Sequence, residues 1–272
     1  LIGLRYQSVF IAVIMTQYIY TTSHLLYLLR IYTTCTLNAI EQVFLQNFYE
    51  IIMSNKVNTA LKRLDDILPL LSGLQSLSNE EARLYCKLLS SYVEQGRTLT
   101  RNEVAEIVSN TEQSLNNVVS SKLIVLDSEG NPAGAYPFTS QEREHKVQIN
   151  GVTAHCMCAL DALSVSPMFN KPTTIDSECR VTGNKIHIEQ NGTNFTNGTL
   201  NAWFGINWGA AANDTVCAES LCLEMMFLAD EEVASQWFSE SPDTREIFDL
   251  QSAVEFSAAF FVPLSEKCRT AA

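Results

Sequence analysis

Three side chains in the stretch AHCMCALDAL, residues 154–163, are of types that carry out chemistry: the thiols of Cys156 and Cys158 and the carboxylate of Asp161. Thiols one residue apart could form a metal clip, enter two separate disulfides or pack in the core. Cys158 and Asp161 could instead act together, as a nucleophile and a proton donor. The local structure of this stretch therefore decides what it can do.

A helix over residues 156–163 would place Cys158 and Asp161 on the same side, because they stand three positions apart. The helix is favoured by the apolar spacing of Met157, Leu160 and Leu163. A thiolate beside a carboxylate is electrostatically unfavourable, so such a pair tends to share one proton. The pair could pass that proton to a group bound at the sulfur. The C-x-x-D spacing alone is weak evidence, since a buried cysteine near a surface carboxylate gives the same pattern.

The other cysteines define neither a zinc site nor a disulfide framework by their spacing. The chain has eight cysteines, and no C-x₂-C pair recurs at zinc-ribbon distance. Cys86 lies in an amphipathic segment and is predicted to be a core residue, because free cysteine is among the most buried residue types. Cys268, near the end, is uninformative, and disulfides remain open. The remaining thiols outside the apolar leader are Cys156, Cys158, Cys179, Cys217 and Cys222.

The net charge of the chain limits the kinds of molecule that it can bind. The formal net charge is −12. A surface that acidic repels phosphate backbones, so we expect no nucleic-acid partner. The hydrophobic fraction of 46% indicates a packed core rather than a disordered chain.

Residues 1–52 form an apolar leader without a charged residue between Arg5 and Arg30. Its most apolar run, VFIAVIMTQYIY, is interrupted by polar residues, and a membrane-spanning helix needs about 20 mostly apolar residues. We expect an over-extended reading frame with the true start at Met53. A membrane anchor is the alternative, and only that alternative implies a membrane partner.

Residues 53–140 have the pattern of a helical domain. Two capping boxes begin helices, Ser78 with Glu81 and Thr100 with Glu103. A third helix follows and leads into a strand–turn–strand segment, which is the order of a winged helix. The third helix, residues 111–121, has no Lys or Arg, so we expect packing rather than DNA binding.

Residues 141–272 change to strands and turns. Asn150-Gly151 predicts one hairpin, and Gly183-Asn184 predicts a second. The segment SLCLEMMFLA fits either a strand or a short helix, and QSAVEFSAAFFVPL predicts a closing helix that ends before Pro263. Four Asn-x-Ser/Thr motifs fit a turn-rich loop better than glycosylation; they start at Asn191, Asn194, Asn197 and Asn213.

The segments HCMCALDAL, SECRVTGNKI and ESLCLEMMFLADEEVASQWF together resemble the alkylmercury lyases, also called organomercurial lyases. The resemblance covers roughly residues 75–265, and three cysteines and one aspartate fall in the family's order and approximate spacing. It implies an α+β fold. A winged-helix-like three-helix domain that does not bind DNA would precede an antiparallel-sheet catalytic domain.

The resemblance also implies the roles of individual residues. Cys158 and Cys222 match the family's two mercury-binding thiols, Asp161 matches its aspartate, and Cys179 matches a cysteine regarded as structural. Three features depart from the pattern, and one is the segment LEMMF after Cys222, where family members often have a second cysteine and histidines. Met157 stands where related enzymes have an aromatic residue, and Cys156 is an extra thiol.

The implied activity is protonolysis of a carbon–mercury bond, which gives a hydrocarbon and Hg(II) held by two thiolates. No cofactor is expected, but external thiols or a mercuric reductase would have to accept the Hg(II). The thiols must be reduced, which predicts a cytoplasmic protein. The alternative is a non-catalytic thiol-based metal-binding or sensing protein of the same fold.

Overall fold

The computed structural model describes residues 39–211 and 216–271, with the side chains described from residue 52 to residue 270. The backbone divides the chain into two compact units, Leu1–Lys56 and Val57–Ala272. Most of the apolar leader, with Cys35, lies outside the described residues, as does Asn213. Within the described ranges, no helix combines the length and the apolar character that a membrane crossing requires.

In the described part of the chain, helices fill the region before the first strand. They are α1 (Ala39–Ile67), α2 (Leu70–Ser76), α3 (Asn79–Gln95), α4 (Arg101–Ala105) and α5 (Thr111–Ser120). Both predicted capping boxes are confirmed, at Ser78 for α3 and at Thr100 for α4. Gly96 ends α3 in the left-handed conformation, with φ of 70°, which glycine adopts at little cost.

An antiparallel eight-stranded sheet follows. Its strands are β1 (Ile124–Leu126), β2 (Pro132–Ala135), β3 (Phe138–Thr139), β4 (Lys146–Ile149), β5 (Val152–Cys156), β6 (Pro172–Glu178), β7 (Lys185–Asn191) and β8 (Asn194–Gly198). Their spatial order is β1-β2-β3-β5-β4-β6-β7-β8. Both predicted hairpins are confirmed: β4 and β5 turn at Asn150-Gly151, and β6 and β7 turn around Gly183.

A three-stranded antiparallel sheet and two helices complete the chain. The strands are β9 (Trp203–Asn207), β10 (Met225–Leu228) and β11 (Arg245–Asp249), with β9 in the centre. The helices are α7 (Glu231–Ser239) and α8 (Leu250–Ala271). For the segment SLCLEMMFLA, the predicted alternatives were a strand and a short helix, and the structure contains both. A 3₁₀ turn over Leu221–Glu224 leads directly into β10.

The predicted end of the last helix is wrong. α8 continues through Pro263 to Ala271. Proline removes one backbone donor and crowds the preceding turn, but packing can outweigh that cost. Leu264 and Ser265, just beyond the proline, are buried, so the helix continues because its next turn has a surface to cover.

One helix lies at the centre of this arrangement. α6 (Ala159–Phe169) has buried residues on every side, as expected of a helix surrounded by protein. It packs against α8, against β4, β5, β6 and β7 of the large sheet, and against β10 of the small sheet. The start of α6 is therefore fixed by both sheets at once.

The fold is a mixture of helices and antiparallel sheet, as predicted. The three helices α3, α4 and α5 precede the β1–β2 hairpin in the predicted order. Their description as a winged helix and the domain division between residues 140 and 141 remain predictions. Strands on both sides of that division join one sheet, because β3 pairs with β5.

Cys86 is not the free core thiol that its helix pattern suggested. It is half-buried and forms a disulfide with Cys268, 182 positions along the chain. The bridge ties α3 to the last turns of α8. Sequence periodicity could not reveal it, because the partner lies in a distant segment of no distinctive pattern.

This bridge should contribute measurably to stability. In the chain-entropy account, a crosslink that closes so long a loop contributes about 5 kcal/mol. We expect Cys268→Ser to lower the free energy of unfolding in urea by about that amount when no reductant is present. Adding dithiothreitol should remove most of the difference between the two proteins. Equal stability before reduction would mean that the bridge does not form.

Candidate active site

The first thiol of the site caps a helix. Cys158 leaves β5 in an extended conformation, with φ of −154°, and α6 begins at the next residue. Its Sγ accepts a hydrogen bond of 3.4 Å from the backbone N–H of Asp161. The predicted helix over 156–163 is thus shifted: Cys156 ends a strand, and Cys158 is the N-cap. A helix N-terminus favours negative charge, so this position suits a thiolate.

The carboxyl group of Asp161 is buried in the first turn of the same helix. The residue is 1% exposed, and its Oδ2 has no hydrogen-bond partner among the described residues. Burial raises the pKa of Asp161 to about 7, against the opposing effects of Cys158 and of the Arg143 guanidinium. The group is therefore poised to take up or release a proton near neutral pH.

The second thiol comes from a distant segment. Cys222 lies in the 3₁₀ turn Leu221–Glu224 and is 2% exposed. Its Sγ, the Sγ of Cys158 and a carboxylate oxygen of Asp161 all lie within 4.8 Å of one another. Both thiols are free. The structure thus brings together the three residues that the sequence analysis singled out as a set.

Both thiols hold their protons at neutral pH. Burial raises the pKa of Cys158 to about 12. Hydrogen bonds with Cys158 and Cys217, and then burial, raise the pKa of Cys222 well above its ordinary value. A metal ion that binds such thiols must displace their protons, and a metal-coordinated thiol is deprotonated outright. Soft thiolates select a soft metal ion.

The turn that carries Cys222 is anchored from the large sheet. Arg180, just after β6, donates to the backbone carbonyl of Leu223 and, at 2.6 Å, to a carboxylate oxygen of Glu144. Glu144 is also 3.1 Å from the ring of buried His145, whose Nδ1 lies 2.8 Å from the hydroxyl of Ser177. This chain of contacts positions the second thiol relative to the first.

The remaining predicted thiols lie elsewhere in the core. Cys179 is fully buried next to Arg180, and its backbone closes the turn around Gly183. Cys156 is fully buried at the end of β5. Among the described residues, neither belongs to the group of atoms around Asp161. A structural role for Cys179, as the resemblance implies, remains a prediction.

Sequence analysis assigned no role to two neighbours of the site. Cys217 Sγ lies 3.6 Å from Cys222 Sγ. Tyr136 is buried, and its hydroxyl interacts with the side chain of Cys217. Burial, and then the charges of Cys222, Cys217 and Asp161, raise the pKa of Tyr136 well above its usual value, so it stays a neutral phenol. Neither residue lies in a recognisable motif.

Two comparisons with known proteins found similar proteins. Residues 138–262 match the family model described as alkylmercury lyase. The chain is also similar to the crystal structure of the mercury-bound form of MerB2, with a TM-score of 0.60 and 20% sequence identity. That similarity covers 74% of this chain and 98% of the other, and at this identity it shows the fold. No curated protein matches the chain.

The match of residues 138–262 identifies the alkylmercury lyases as the enzyme class that this part of the chain resembles. It confirms the resemblance that the sequence suggested.

The raised pKa of Asp161 makes a prediction for stability. Between about pH 4 and pH 7, the folded protein keeps a proton that the unfolded chain loses, so stability falls as pH rises through this window. Asp161→Asn cannot titrate. Its stability relative to wild type should therefore increase by about 4 kcal/mol across the window and then level off.

Urea unfolding at a series of pH values measures this difference. Asp65→Asn is the matched control, because Asp65 is an exposed carboxylate on α1. Parallel pH profiles for wild type and Asp161→Asn would show that Asp161 is not held in a protonated, buried state.

Proposed function

We propose that this protein cleaves the carbon–mercury bond of organomercurials by protonolysis, which gives a hydrocarbon and Hg(II) held by Cys158 and Cys222. The observation that carries the proposal is the convergence of two free thiols and one carboxyl group within 4.8 Å in a buried site. The match of residues 138–262 to the alkylmercury lyases and the fold shared with a mercury-bound protein support it.

The first step is capture of the organomercurial by a thiol. Mercury is a soft cation, and thiolates are its preferred ligands. Cys158 or Cys222 displaces the halide or thiol that the substrate carries, and its own proton leaves with that group. Coordination overcomes the raised pKa of the thiol, because a metal-bound sulfur gives up its proton.

The second step moves a proton to carbon. When the other thiol binds mercury, its proton passes to the carboxylate of Asp161, of which one oxygen lies within 4.8 Å of both sulfurs. Two thiolates then donate electron density to the metal and through it to the carbon. Asp161 delivers the proton to that carbon: the carbon–mercury bond breaks, a carbon–hydrogen bond forms, and no electrons are lost or gained.

Burial makes this proton transfer effective. Cys158, Asp161 and Cys222 are each at most 2% exposed, so water does not compete for the carbon or the proton. Charge–dipole interactions are also stronger in such a site than in water. Asp161, with a pKa near 7, is a sufficiently strong acid when protonated and a sufficiently strong base when ionised.

Product release completes the reaction. External thiols exchange onto Hg(II) and remove it, so small thiols or a mercuric reductase are the expected acceptors, with no further cofactor. Reduced site thiols require a reducing compartment, for which we propose the cytoplasm. Such a compartment would also reduce the disulfide between Cys86 and Cys268. The stability test of the disulfide is therefore separate from the activity test of the site.

Headspace analysis of phenylmercury and methylmercury incubations tests the proposal. With excess thiol, the wild-type protein should release benzene and methane, and Cys158→Ala and Cys222→Ala should release none. Asp161→Asn should still capture the organomercurial but lose about 10²–10⁴-fold in hydrocarbon release, the usual contribution of a positioned proton donor.

Cys179→Ser serves as the control for loss of a buried thiol outside the site, and Asp176→Asn as the control for loss of a carboxylate. Stoichiometric mercury binding without hydrocarbon from the wild-type protein would instead identify a binding or sensing protein. Near-normal release by Asp161→Asn would contradict the assigned proton transfer.

A further inference from the structure

A third thiol stands next to the proposed mercury site. Cys217 Sγ and Cys222 Sγ are 3.6 Å apart, and Cys217 is free. Sequence analysis left it without a role, and the three-residue set described above does not need it. Its position relative to the other two sulfurs suggests one.

Cys217 is the outermost of the free thiols in the described residues. It is 9% exposed, compared with 2% for Cys222 and 1% for Cys158. Val216, immediately before it, is half exposed. From Cys158 through Cys222 to Cys217, the thiols thus lead from the buried end of α6 towards the surface.

The backbone holds Cys217 and Cys222 in this arrangement. Cys217 begins one 3₁₀ turn and Cys222 lies in the next, with Ser220 between them. The backbone N–H of Ser220 donates to the carbonyl of Cys217 at 3.2 Å, and its hydroxyl donates to the carbonyl of Val216 at 3.1 Å. The short distance between the two sulfurs is therefore built into the turns.

A buried donor lies beside this pair. The hydroxyl of Tyr136 is buried and interacts with the side chain of Cys217, and its electrostatic neighbours include Cys222 and Cys217. A phenol O–H beside the sulfurs can donate to a thiolate there while ligands exchange.

We propose that Cys217 is the exit thiol, which takes Hg(II) from Cys158 and holds it with Cys222 before an external thiol removes it. This inference rests on the proposed function, because it assumes that the transferred ion is the Hg(II) produced by that reaction. In the transfer, the bond between Cys158 sulfur and mercury breaks as the bond between Cys217 sulfur and mercury forms. The proton of Cys217 moves to Cys158, so charge and oxidation state are unchanged.

The physical advantage is access. An external thiol cannot easily reach mercury held between sulfurs that are 1% and 2% exposed. A thiol already fixed beside one of them attacks intramolecularly, at a high effective concentration. The mercury would then be bonded to the most exposed of the thiols.

Hg(II) binding to variants without Cys158 tests whether Cys217 and Cys222 can hold the ion by themselves. Cys158→Ser keeps a good helix N-cap, since serine is a preferred N-cap residue, so the fold should persist. Mercuric chloride is titrated against a competing monothiol. The single variant should still bind one Hg(II), held by Cys222 and Cys217. Adding Cys217→Ser should weaken that binding by about 10²-fold or more, because a chelating pair becomes one thiol.

The double variant Cys158→Ser with Cys179→Ser is the matched control, because it removes the same number of thiols but keeps Cys217. It should bind Hg(II) like the Cys158→Ser variant. Equal affinities for the Cys217 and Cys179 double variants, or no competitive binding by Cys158→Ser itself, would overturn the assignment of Cys217.

The rate of Hg(II) transfer from the loaded protein to excess glutathione provides a second measurement. Cys217→Ser should slow it by about tenfold or more, whereas Cys179→Ser, which removes a buried thiol outside the site, should not. Equal transfer rates for Cys217→Ser and wild type would contradict the exit role. These tests use inorganic Hg(II), so failure of the wild type to release hydrocarbon would count against the proposed function and not against Cys217.

Discussion

Exclusion of water at the start of α6 is the constraint on which the site depends. A buried carboxyl with an unpartnered oxygen lies there beside two buried thiols. Desolvation favours the neutral form of Cys158 and of Asp161, which keeps that thiol protonated and raises the pKa of Asp161 to about 7. Such a site is unfavourable for a hard cation that needs oxygen ligands and water. It suits a soft metal that exchanges its ligand for sulfur and releases a proton that the carboxyl can take.

The packing of α6 against its neighbours excludes water from this site. α6 lies against strands of both sheets and against α8, so the N-cap sulfur of Cys158 cannot move independently of the core. Cys222 arrives on a short turn between the small sheet's strands, and Arg180 from the large sheet fixes the carbonyl of the next residue. The two thiols thus come from segments next to different sheets, and contacts that join those sheets, such as that of Arg180, set the distance between them.

Local sequence patterns predicted the local structure well. Capping boxes at Ser78 and Thr100 and the turn at Asn150-Gly151 depend on interactions within a few residues, and all three are confirmed. The C-x-x-D pair was also visible, although Cys158 caps the helix instead of lying within it. Periodicity could not predict that α8 passes Pro263, because the buried surface that stabilises its last turns belongs to other parts of the fold.

Long-range pairings had no sequence signal. The bridge between Cys86 and Cys268 spans 182 positions, and the approach of Tyr136 to Cys217 and Cys222 depends on the packing of separate elements. Cys222 itself was assigned through the family resemblance rather than by spacing. Chemistry that depends on convergence of distant segments is therefore visible in the structure and only indirectly in the sequence.

A single turnover in D₂O tests most directly whether the buried carboxyl delivers the proton. Stoichiometric protein, equilibrated in D₂O, is mixed with phenylmercury, and the released hydrocarbon is analysed by mass spectrometry. The account predicts monodeuterated benzene from wild type and about 10²–10⁴-fold slower release from Asp161→Asn, with phenylmercury bound to both proteins. Benzene without deuterium, or equal deuterated product from the two proteins, would contradict it.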